Sequence, residues 1–202
     1  SGLSRRAFLG SSVAASGGLM VAFTIPLMGE AVAQTPLPSE VNAWVVVNPD
    51  ESIVIRIARS EMGQGTLTGL SQLVAEELDA NWAKVSAEYP TPGQNLARNR
   101  VWGNFGTGGS QGIRQSQEYV RKGGAAARMM LVQAAANEWN VPASECRAAA
   151  SVITHTPSGR STTYGKVADA AAKVPPPTDI KLKDPKDWTI AGKPLKRLDT
   201  VE

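Results

Sequence analysis

Alternation of apolar and polar residues predicts a β-hairpin within residues 42–58. Two runs rich in β-branched residues flank the turn-forming sequence Asn48-Pro49-Asp50-Glu51. In the second run isoleucine occupies every other position from 53 to 57, which is the period-two pattern of a strand with one buried face. A further alternating run, at residues 84–90, predicts another strand.

Two later parts of the chain have apolar residues at the spacing of an α-helix, the first directly after the predicted hairpin. Apolar residues recur every three or four positions between 67 and 78, and Glu76 and Glu77 fall on the opposite, polar side of that predicted helix. The longest helical pattern covers residues 110–140, with Ser110 as its expected N-cap. Gly123-Gly124 inside it predicts either a kink or close packing. Residues 91–109 are rich in Gly, Pro, Asn and Thr and predict a long, functional loop.

The remaining elements complete an α+β fold. From Cys146 onward the pattern predicts a strand, a Pro-Ser-Gly turn, a second strand and a short helix at about 164–172. We therefore expect a mixed, largely antiparallel sheet with two main helices packed on it. Residues 34–173 form the expected domain, and the proline-rich residues 174–202 are expected to connect it to a missing downstream domain.

The N-terminal residues 1–33 have the pattern of a twin-arginine export signal. Paired arginines in "SRRAFLG" precede an apolar stretch at 11–28, and "AVA" at 31–33 suits signal peptidase, so the mature chain would begin near Gln34. This predicts a periplasmic protein. A retained anchor and a chance arginine pair are the alternatives, although Ser and Gly make the apolar stretch a poor membrane span.

Composition and charge restrict the function classes. Of 202 residues 42% are hydrophobic and 19% charged, which is typical of a globular protein. The net charge of +3 is too small and too evenly spread to indicate a nucleic-acid partner. The single cysteine, Cys146, excludes an internal disulfide. Cys146 and His155 could form a catalytic pair, but a buried structural thiol is the favoured interpretation.

Two glycines surround one glutamine at the start of the first predicted helix, in "RSEMGQGTLTGLSQLVAEEL" (residues 59–78). Gly63, Gln64 and Gly65 allow close approach to the backbone, and a helix N-terminus offers free N–H groups and partial positive charge. Thr66 or Thr68 could cap the helix or contact a phosphate. The stretch suits an anion or a polar planar ligand, with an ordinary turn as the alternative. Its spacing matches neither a P-loop nor a Rossmann fingerprint.

A second glycine-rich stretch, "GNFGTGGSQG" at residues 103–112, leads into the long predicted helix. Thr107 and Ser110 supply hydroxyl groups on either side of Gly108 and Gly109. The two stretches could converge on one phosphorylated ligand, or they could be two independent caps. Trp102 is a further candidate for contact with the substrate or the cofactor. Three arginines could contact a pyrophosphate, with a role as solvated surface charge as the alternative; they are Arg98, Arg100 and Arg114.

The joined motifs resemble a known family. "EMGQGTLTGLSQLVAEELDANW", "TGGSQG" and "GAAARMMLVQAAANEWNVPASEC" look like the start of the large, molybdopterin-binding subunit of the xanthine oxidase family. The branch is that of the isoquinoline 1-oxidoreductase β-subunit, which also includes periplasmic aldehyde dehydrogenases. The ending "LKDPKDWTIAGKPLKRLD" resembles the same branch.

This resemblance implies a function and a set of partners. Such subunits bind a molybdenum cofactor, commonly molybdopterin cytosine dinucleotide. They oxidise small N-heteroaromatic or aldehyde substrates with oxygen from water, and pass electrons to an iron–sulfur subunit and often to a cytochrome c. The family's Gly-Gln-Gly contact with the cofactor falls on Gly63, Gln64 and Gly65, and its helix start on Thr66 and Thr68. A second contact is expected at Thr107, Gly108, Gly109 and Ser110.

The family's catalytic glutamate has no counterpart here. In the family it lies near the far C-terminal end, whereas Glu61, Glu76 and Glu77 lie at the first helix and Glu202 is the last residue. We therefore expect an N-terminal portion of a larger subunit, which joins the remainder of that subunit, or one piece of a split subunit. The alternative is a non-catalytic periplasmic binding or assembly module of the same fold.

Overall fold

The hairpin predicted from the alternation is the centre of a four-stranded sheet. The structure is a computed structural model that describes residues 39–200, all within one unit that spans Pro36–Glu202. The sheet has the order β1-β2-β3-β4, with β1 at Ser39–Asn42, β2 at Val45–Val47, β3 at Ile53–Arg56 and β4 at Val85–Glu88. Its first two pairings are antiparallel, whereas β3 and β4 are parallel.

Helix α1 (Thr66–Leu78) is the crossover between the two parallel strands. It buries Leu70, Val74 and Leu78 against the isoleucines of β3. This connection places the Gly63-Gln64-Gly65 stretch between the end of β3 and the start of α1, where ligands commonly bind in α/β units. The predicted helix at 67–78 and strand at 84–90 are both confirmed.

A short helix interrupts the predicted loop at 91–109. Helix α2 covers Pro92–Ala97, and it begins with a capping box in which the Thr91 hydroxyl accepts from the Gln94 N–H and the Gln94 side chain accepts from the Thr91 N–H. Pro92 at its first turn suits a helix start. The loop prediction was therefore wrong for residues 92–97.

The long helix α3 (Gln117–Trp139) begins seven residues later than expected. Ser110 is not its N-cap, because Ser110 lies in a turn with φ of 54° and Ser116 holds that position. Gly123 and Gly124 provide close packing: a Cβ at Gly124 would lie 2.4 Å from the Val74 carbonyl oxygen, and one at Gly123 2.6 Å from the Trp44 ring. Helices α1 and α3 thus pack with their backbones in near contact.

A second, three-stranded antiparallel sheet follows α3. It comprises β5 (Cys146–Ala149), β6 (Val152–His155) and β7 (Ser161–Thr163), and helix α4 (Tyr164–Ala171) comes next. Tyr164 is fully buried and donates from its hydroxyl to the Leu78 carbonyl at 2.6 Å, which ties α4 to the end of α1. The predicted α+β class with largely antiparallel pairing is confirmed, with the strands of residues 39–200 divided between two sheets.

The proline-rich residues 174–200 lie along α1 and are joined to it by buried carboxylates. Glu76 and Glu77 are 1% and 0% exposed, so the prediction that they form a polar outer face was wrong. Glu76 Oε2 accepts from the N–H groups of three successive residues, 189–191, at 2.5–3.1 Å. Glu77 pairs with Arg121 at 2.7 Å, and Lys183 bonds to both Glu76 and Asp79.

No helix within residues 39–200 is long and apolar enough to cross a membrane. The predicted export signal at residues 1–33 lies outside the described residues.

Candidate functional site

The two glycine-rich stretches meet beside the first turn of α1 and line one cavity. This cavity has a volume of about 410 Å³. The first stretch contributes Met62, Gln64 and Thr66, and the second contributes residues 107–113. The fold therefore brings together the two motifs, which lie about forty residues apart in the sequence.

Specific contacts hold the stretches against each other. The Ser60 N–H donates to the Thr107 hydroxyl at 2.9 Å, and Arg59 donates to the Gly106 carbonyl. A Cβ at Gly112 would lie 3.2 Å from the Thr66 methyl group, so this glycine permits the close approach of the second stretch to α1. These contacts favour one shared site over two independent helix caps.

The Gln64 side chain fixes the conformation of the first glycine-rich stretch. Gln64 accepts from the Met62 N–H at 2.6 Å through Oε1 and donates to the Ser60 carbonyl at 2.8 Å through Nε2. Gly63 and Gly65 have φ of 98° and 81°, a region that side-chain-bearing residues rarely adopt. The Gln64 amide therefore fixes the loop, and Gln64 also lines the cavity.

The N-terminus of α1 already holds a carboxylate of this chain. Glu61 accepts from the N–H groups of Gly63 at 2.7 Å, Gly65 at 2.8 Å and Leu67 at 3.0 Å. Burial opposes ionisation, but these backbone donors outweigh it and lower the pKa of Glu61 below its usual value. Arg197 lies 3.3 Å from the same carboxylate. Glu61 thus supplies the anion that the sequence led us to expect from a ligand at this helix end.

Neither threonine of α1 caps the helix, since its N-cap is Gly65 and the Glu61 carboxylate accepts from the N–H groups at the helix start. Thr66 is buried at the wall of the cavity. Thr68 faces the C-terminal segment instead: its hydroxyl accepts from the Leu198 N–H at 3.0 Å and lies 3.4 Å from an Asp199 oxygen. Of the residues expected at the site, Gln64, Thr66 and residues 107–110 line the cavity, whereas Gly63, Gly65 and Thr68 do not.

The second stretch offers unused donors. Within residues 39–200 the N–H groups of Gly108, Gly109 and Ser110 donate to no protein acceptor. The Thr107 hydroxyl accepts from Ser60 and so keeps its own hydrogen for another acceptor. A Cβ at Gly108 would meet no atom within 4 Å, and this glycine has no positive φ. Neither strain nor packing explains Gly108, whereas close approach of a ligand does.

The other sequence candidates serve the fold or the surface. Trp102 is 4% exposed and packs edge-on against Trp44 at 6.0 Å, so it belongs to the core. Arg98 pairs with Glu40 at 2.6 Å rather than with an anionic ligand. Arg100 and Arg114 are exposed and do not line the cavity.

The cysteine and the histidine do not form a catalytic pair. Cys146 and His155 are opposite each other on β5 and β6. Both ring nitrogens of His155 have other partners, Ser158 at 2.6 Å and Glu145 at 2.9 Å. Burial, with the charge of Glu145 added, raises the pKa of the Cys146 thiol and disfavours the thiolate. Within residues 39–200 no group of His, Cys, Asp and Glu could hold a metal ion.

Sequence reasoning missed Glu61 and Arg59 as residues of this site. Both precede the glycine motif directly, but the sequence alone does not show that Glu61 folds back onto the loop. Arg59 donates from Nε to the buried Ser116 hydroxyl at 2.9 Å, a contact across 57 residues. Only the folded chain reveals a partner at that separation.

Comparison with known proteins places the chain in a family. Residues 10–196 match the molybdopterin cofactor-binding domain. Isoquinoline 1-oxidoreductase subunit beta of Brevundimonas diminuta is 35% identical over 86% of this chain and 22% of its own length. A membrane-bound aldehyde dehydrogenase [pyrroloquinoline-quinone] of Gluconacetobacter polyoxogenes is 30% identical over 82% of this chain and 21% of its own length. The chain thus spans about a fifth of the length of these relatives.

Among solved structures, quinoline 2-oxidoreductase from Pseudomonas putida 86 is similar over 65% of this chain and 16% of its own length, with 14% identity and a TM-score of 0.48. A likeness of that size supports no argument by itself. The family match and the two relatives confirm the resemblance to the molybdopterin-binding subunits of the xanthine oxidase family. The chain belongs to the family of molybdopterin cofactor-binding domains.

Proposed function

We propose that this chain forms one wall of the cofactor pocket of a molybdenum hydroxylase. The observation that carries the proposal is the shared cavity of about 410 Å³, in which both glycine-rich stretches of a molybdopterin cofactor-binding domain lie side by side. The cofactor contacts that we propose come from Gly63, Gln64, Gly65 and Thr66 and from residues 107–110. Thr68 acts indirectly, through its bond to Leu198.

The donors of the second stretch fit an oxygen-rich ligand. The free N–H groups of residues 108–110 and the Thr107 hydroxyl can donate to phosphate or pterin oxygens without cost to the protein's own bonds. The absence of a Cβ at Gly108 leaves space for a planar ring to approach the backbone. When bound, the cofactor would supply the molybdenum redox centre; these residues bind and orient it.

The finer features of the function are proposals from the relatives. We propose that the cofactor is the cytosine dinucleotide form of molybdopterin and that the whole protein oxidises N-heteroaromatic compounds or aldehydes with oxygen from water. The names of the two relatives support these substrate classes. The proposed partners are the remainder of the large subunit, an iron–sulfur subunit and a cytochrome c. We propose export by the twin-arginine route to the periplasm, on the pattern of residues 1–33.

A leucine at Gly108 tests the site most directly. Gly108 has no positive φ, and a Cβ added there meets no neighbouring atom within 4 Å in the described chain, so Gly108→Leu places a side chain at the proposed contact. We expect molybdenum content, measured by mass spectrometry of the purified whole protein, to fall severalfold, while the free energy of unfolding changes by less than about 0.5 kcal/mol. Gly93→Leu is the matched control, because a Cβ at Gly93 also meets only an ordinary contact at 3.9 Å but lies outside the cavity.

The first stretch is tested with Gln64→Ala and Gly65→Val. Both should lower molybdenum content and the CMP released by acid hydrolysis, because the loop conformation depends on the Gln64 amide and on the positive φ of Gly65. Unchanged molybdenum and CMP in both variants would remove the first stretch from the pocket. If the wild-type protein contains molybdenum but releases no CMP, the proposed molybdenum cofactor stands and its cytosine dinucleotide form is excluded.

A further inference from the structure

A second cavity adjoins the first and contains an arginine without a counter-ion. Its volume is about 380 Å³, and it shares Thr107, Gly108 and Gln111 with the cavity described above. Arg59 lies on its wall. In the part of the chain that the structure describes, no carboxylate pairs with Arg59, and none of the residues around this cavity is acidic.

Arg59 is held in place by neutral acceptors. Its Nε donates to the Ser116 hydroxyl at 2.9 Å, and its Nη1 donates to the Gly106 carbonyl. Ser116 is fully buried and also accepts from the Tyr119 hydroxyl at 2.7 Å, so its oxygen is fixed on two sides. These bonds use two of the five N–H donors of a guanidinium. The Nη2 group has no protein acceptor within residues 39–200.

The nearest carboxylate in sequence is committed elsewhere. Glu61 accepts from three backbone N–H groups of the α1 N-terminus and lies beside Arg197. It is therefore not available to neutralise Arg59. The remaining polar side chains around the second cavity are neutral: Asn104, Thr107, Gln111 and Gln115. Such a set, one fixed cation with amide and hydroxyl donors, suits an oxyanion.

We propose that the cavity at Arg59 is a subsite for a phosphate-type oxyanion. The subsite adjoins the proposed cofactor cavity through Thr107 and Gly108, so the oxyanion is either a phosphate group of the bound cofactor or a separate small anion. The first case rests on the proposed function, whereas the second does not. Arg59 binds the anion through its Nη2 group, and Ser116 and Gly106 position the guanidinium.

The test uses the whole protein from a host that cannot make the molybdenum cofactor, titrated with inorganic pyrophosphate by calorimetry. We expect Arg59→Gln to weaken pyrophosphate binding about tenfold or more, because a charge-assisted hydrogen bond is lost. Arg114→Gln, which removes the same charge from an exposed position outside both cavities, should bind as the wild type does. Wild-type protein that binds no pyrophosphate, or Arg59→Gln that binds it equally well, would overturn the subsite.

A second variant avoids any effect on folding. Gln115 is exposed, and its side chain makes no bond to the rest of the described chain. Gln115→Glu therefore introduces a carboxylate at the cavity and should weaken pyrophosphate binding several-fold by repulsion. Gln117→Glu adds the same charge two residues away, outside the cavity, and should have little effect. Equal weakening by both would mean that general charge, not the subsite, governs binding.

The source of the anion is identified from protein made with its cofactor. If Arg59→Gln also lowers the molybdenum and CMP content, the subsite holds a cofactor phosphate. If the content is unchanged while pyrophosphate binding is lost, the subsite holds a separate anion. A wild-type protein without molybdenum would reject the proposed function, yet pyrophosphate binding that depends on Arg59 would still support the subsite.

Discussion

Helix α1 has a glutamate near each end, and each accepts three backbone N–H bonds, yet the two carboxylates do different things. Glu61 bonds to Gly63, Gly65 and Leu67 and so fixes the loop at the cavity. Glu76 bonds to residues 189–191 and so fixes the C-terminal segment on the helix. The difference lies in what the donors belong to: a local loop in one case, a segment more than a hundred residues away in the other.

Burial separates the two clusters as well. The Glu76 side chain is 1% exposed and has a Lys183 partner at 3.2 Å, whereas Glu61 lies beside an exposed loop and an Arg197 side chain that is 37% exposed. The donor residues of the two clusters are similarly exposed, so the difference lies in the acids and their partners: the Glu61 side chain is 9% exposed, and its partner Arg197 is more open to water than Lys183 is. The same hydrogen-bond pattern should therefore contribute more to stability at Glu76 and more to ligand binding at Glu61.

The largest effect is expected for Glu76→Ala. The substitution removes the acceptor of three N–H groups and one of the partners of the Lys183 ammonium, which keeps Asp79, so we expect a loss of about 3–5 kcal/mol in the free energy of unfolding. Urea denaturation measures it. Glu138→Ala, at an exposed position of α3, is the control and should change stability by less than about 0.5 kcal/mol. A loss below about 1 kcal/mol at Glu76 would mean that the segment is not held by this carboxylate.

A smaller loss in the free energy of unfolding, about 1–2 kcal/mol, is expected for Glu61→Ala, because this carboxylate is less buried than that of Glu76 and the loss is on the scale of a lost helix cap. Its larger effect should be on the cavity, because the freed loop no longer presents Gly63 and Gly65 in one conformation. Molybdenum content should therefore fall more in Glu61→Ala than in a Glu76 variant that remains folded. A larger loss of molybdenum in the folded Glu76 variant would contradict the assignment of ligand binding to the Glu61 cluster.

Gly65→Ala should lower the free energy of unfolding by about 1 kcal/mol, because the φ of 81° at this position is unfavourable for a residue with a Cβ. A Cβ there would meet no atom within 4 Å, so backbone strain is the only contribution. Thermal unfolding of Gly65→Ala beside Gly108→Ala, at a glycine outside the helices and without positive φ, separates strain from the general effect of adding a methyl group. An unchanged melting temperature in Gly65→Ala would show that the loop adopts another conformation.

Acid should weaken both clusters. Burial opposes ionisation of Glu76, but the N–H groups of Ile190, Ala191 and Thr189 lower its pKa below the usual 4.5. The pKa of Glu61 is lowered in the same way by the backbone N–H groups that bond to it. A lowered pKa contributes stability that is complete above about pH 4.5 and is lost as the pH falls through the folded-state value. Glu76→Gln and Glu61→Gln should each flatten the acid limb of a stability–pH curve. A limb as steep as that of the wild type in both would place the acid sensitivity in other carboxylates.

The smallest effect is expected at Arg197. It lies 3.3 Å from Glu61 and 2.6 Å from Asp199 but is partly exposed, so solvent and salt screen its contribution. The melting temperature of Arg197→Gln should lie just below that of the wild type at low salt and coincide with it at about 1 M salt. A difference that persists in high salt would indicate that the Arg197 bond to the Gly63 carbonyl, rather than its charge, supports the loop.

Local patterns were sufficient where a structure depends on near neighbours. The alternation at residues 53–57 and the helical spacing at 67–78 led to β3 and α1, because side-chain burial repeats with the period of the element itself. Ser110 and Glu76 show the limit of this reasoning. Ser110 looks like a helix cap but lies in a turn, because the helix begins at residue 117. Glu76 looks like part of a polar face, but residues 189–191 from a distant segment bond to it and bury it.

The features of the candidate site likewise fall into those that local sequence determines and those that depend on the folded chain. The sequence by itself determined that two glycine-rich stretches precede helices and that Gly63 and Gly65 can adopt positive φ, because these are properties of the local backbone. Only the tertiary structure decided that the stretches share one cavity, that Glu61 fills the helix end and that Arg59 pairs with no carboxylate among residues 39–200. The shared cavity and the Arg59 contacts join residues tens of positions apart, and the Glu61 contacts depend on how the loop folds back; neither leaves a periodic trace in the sequence.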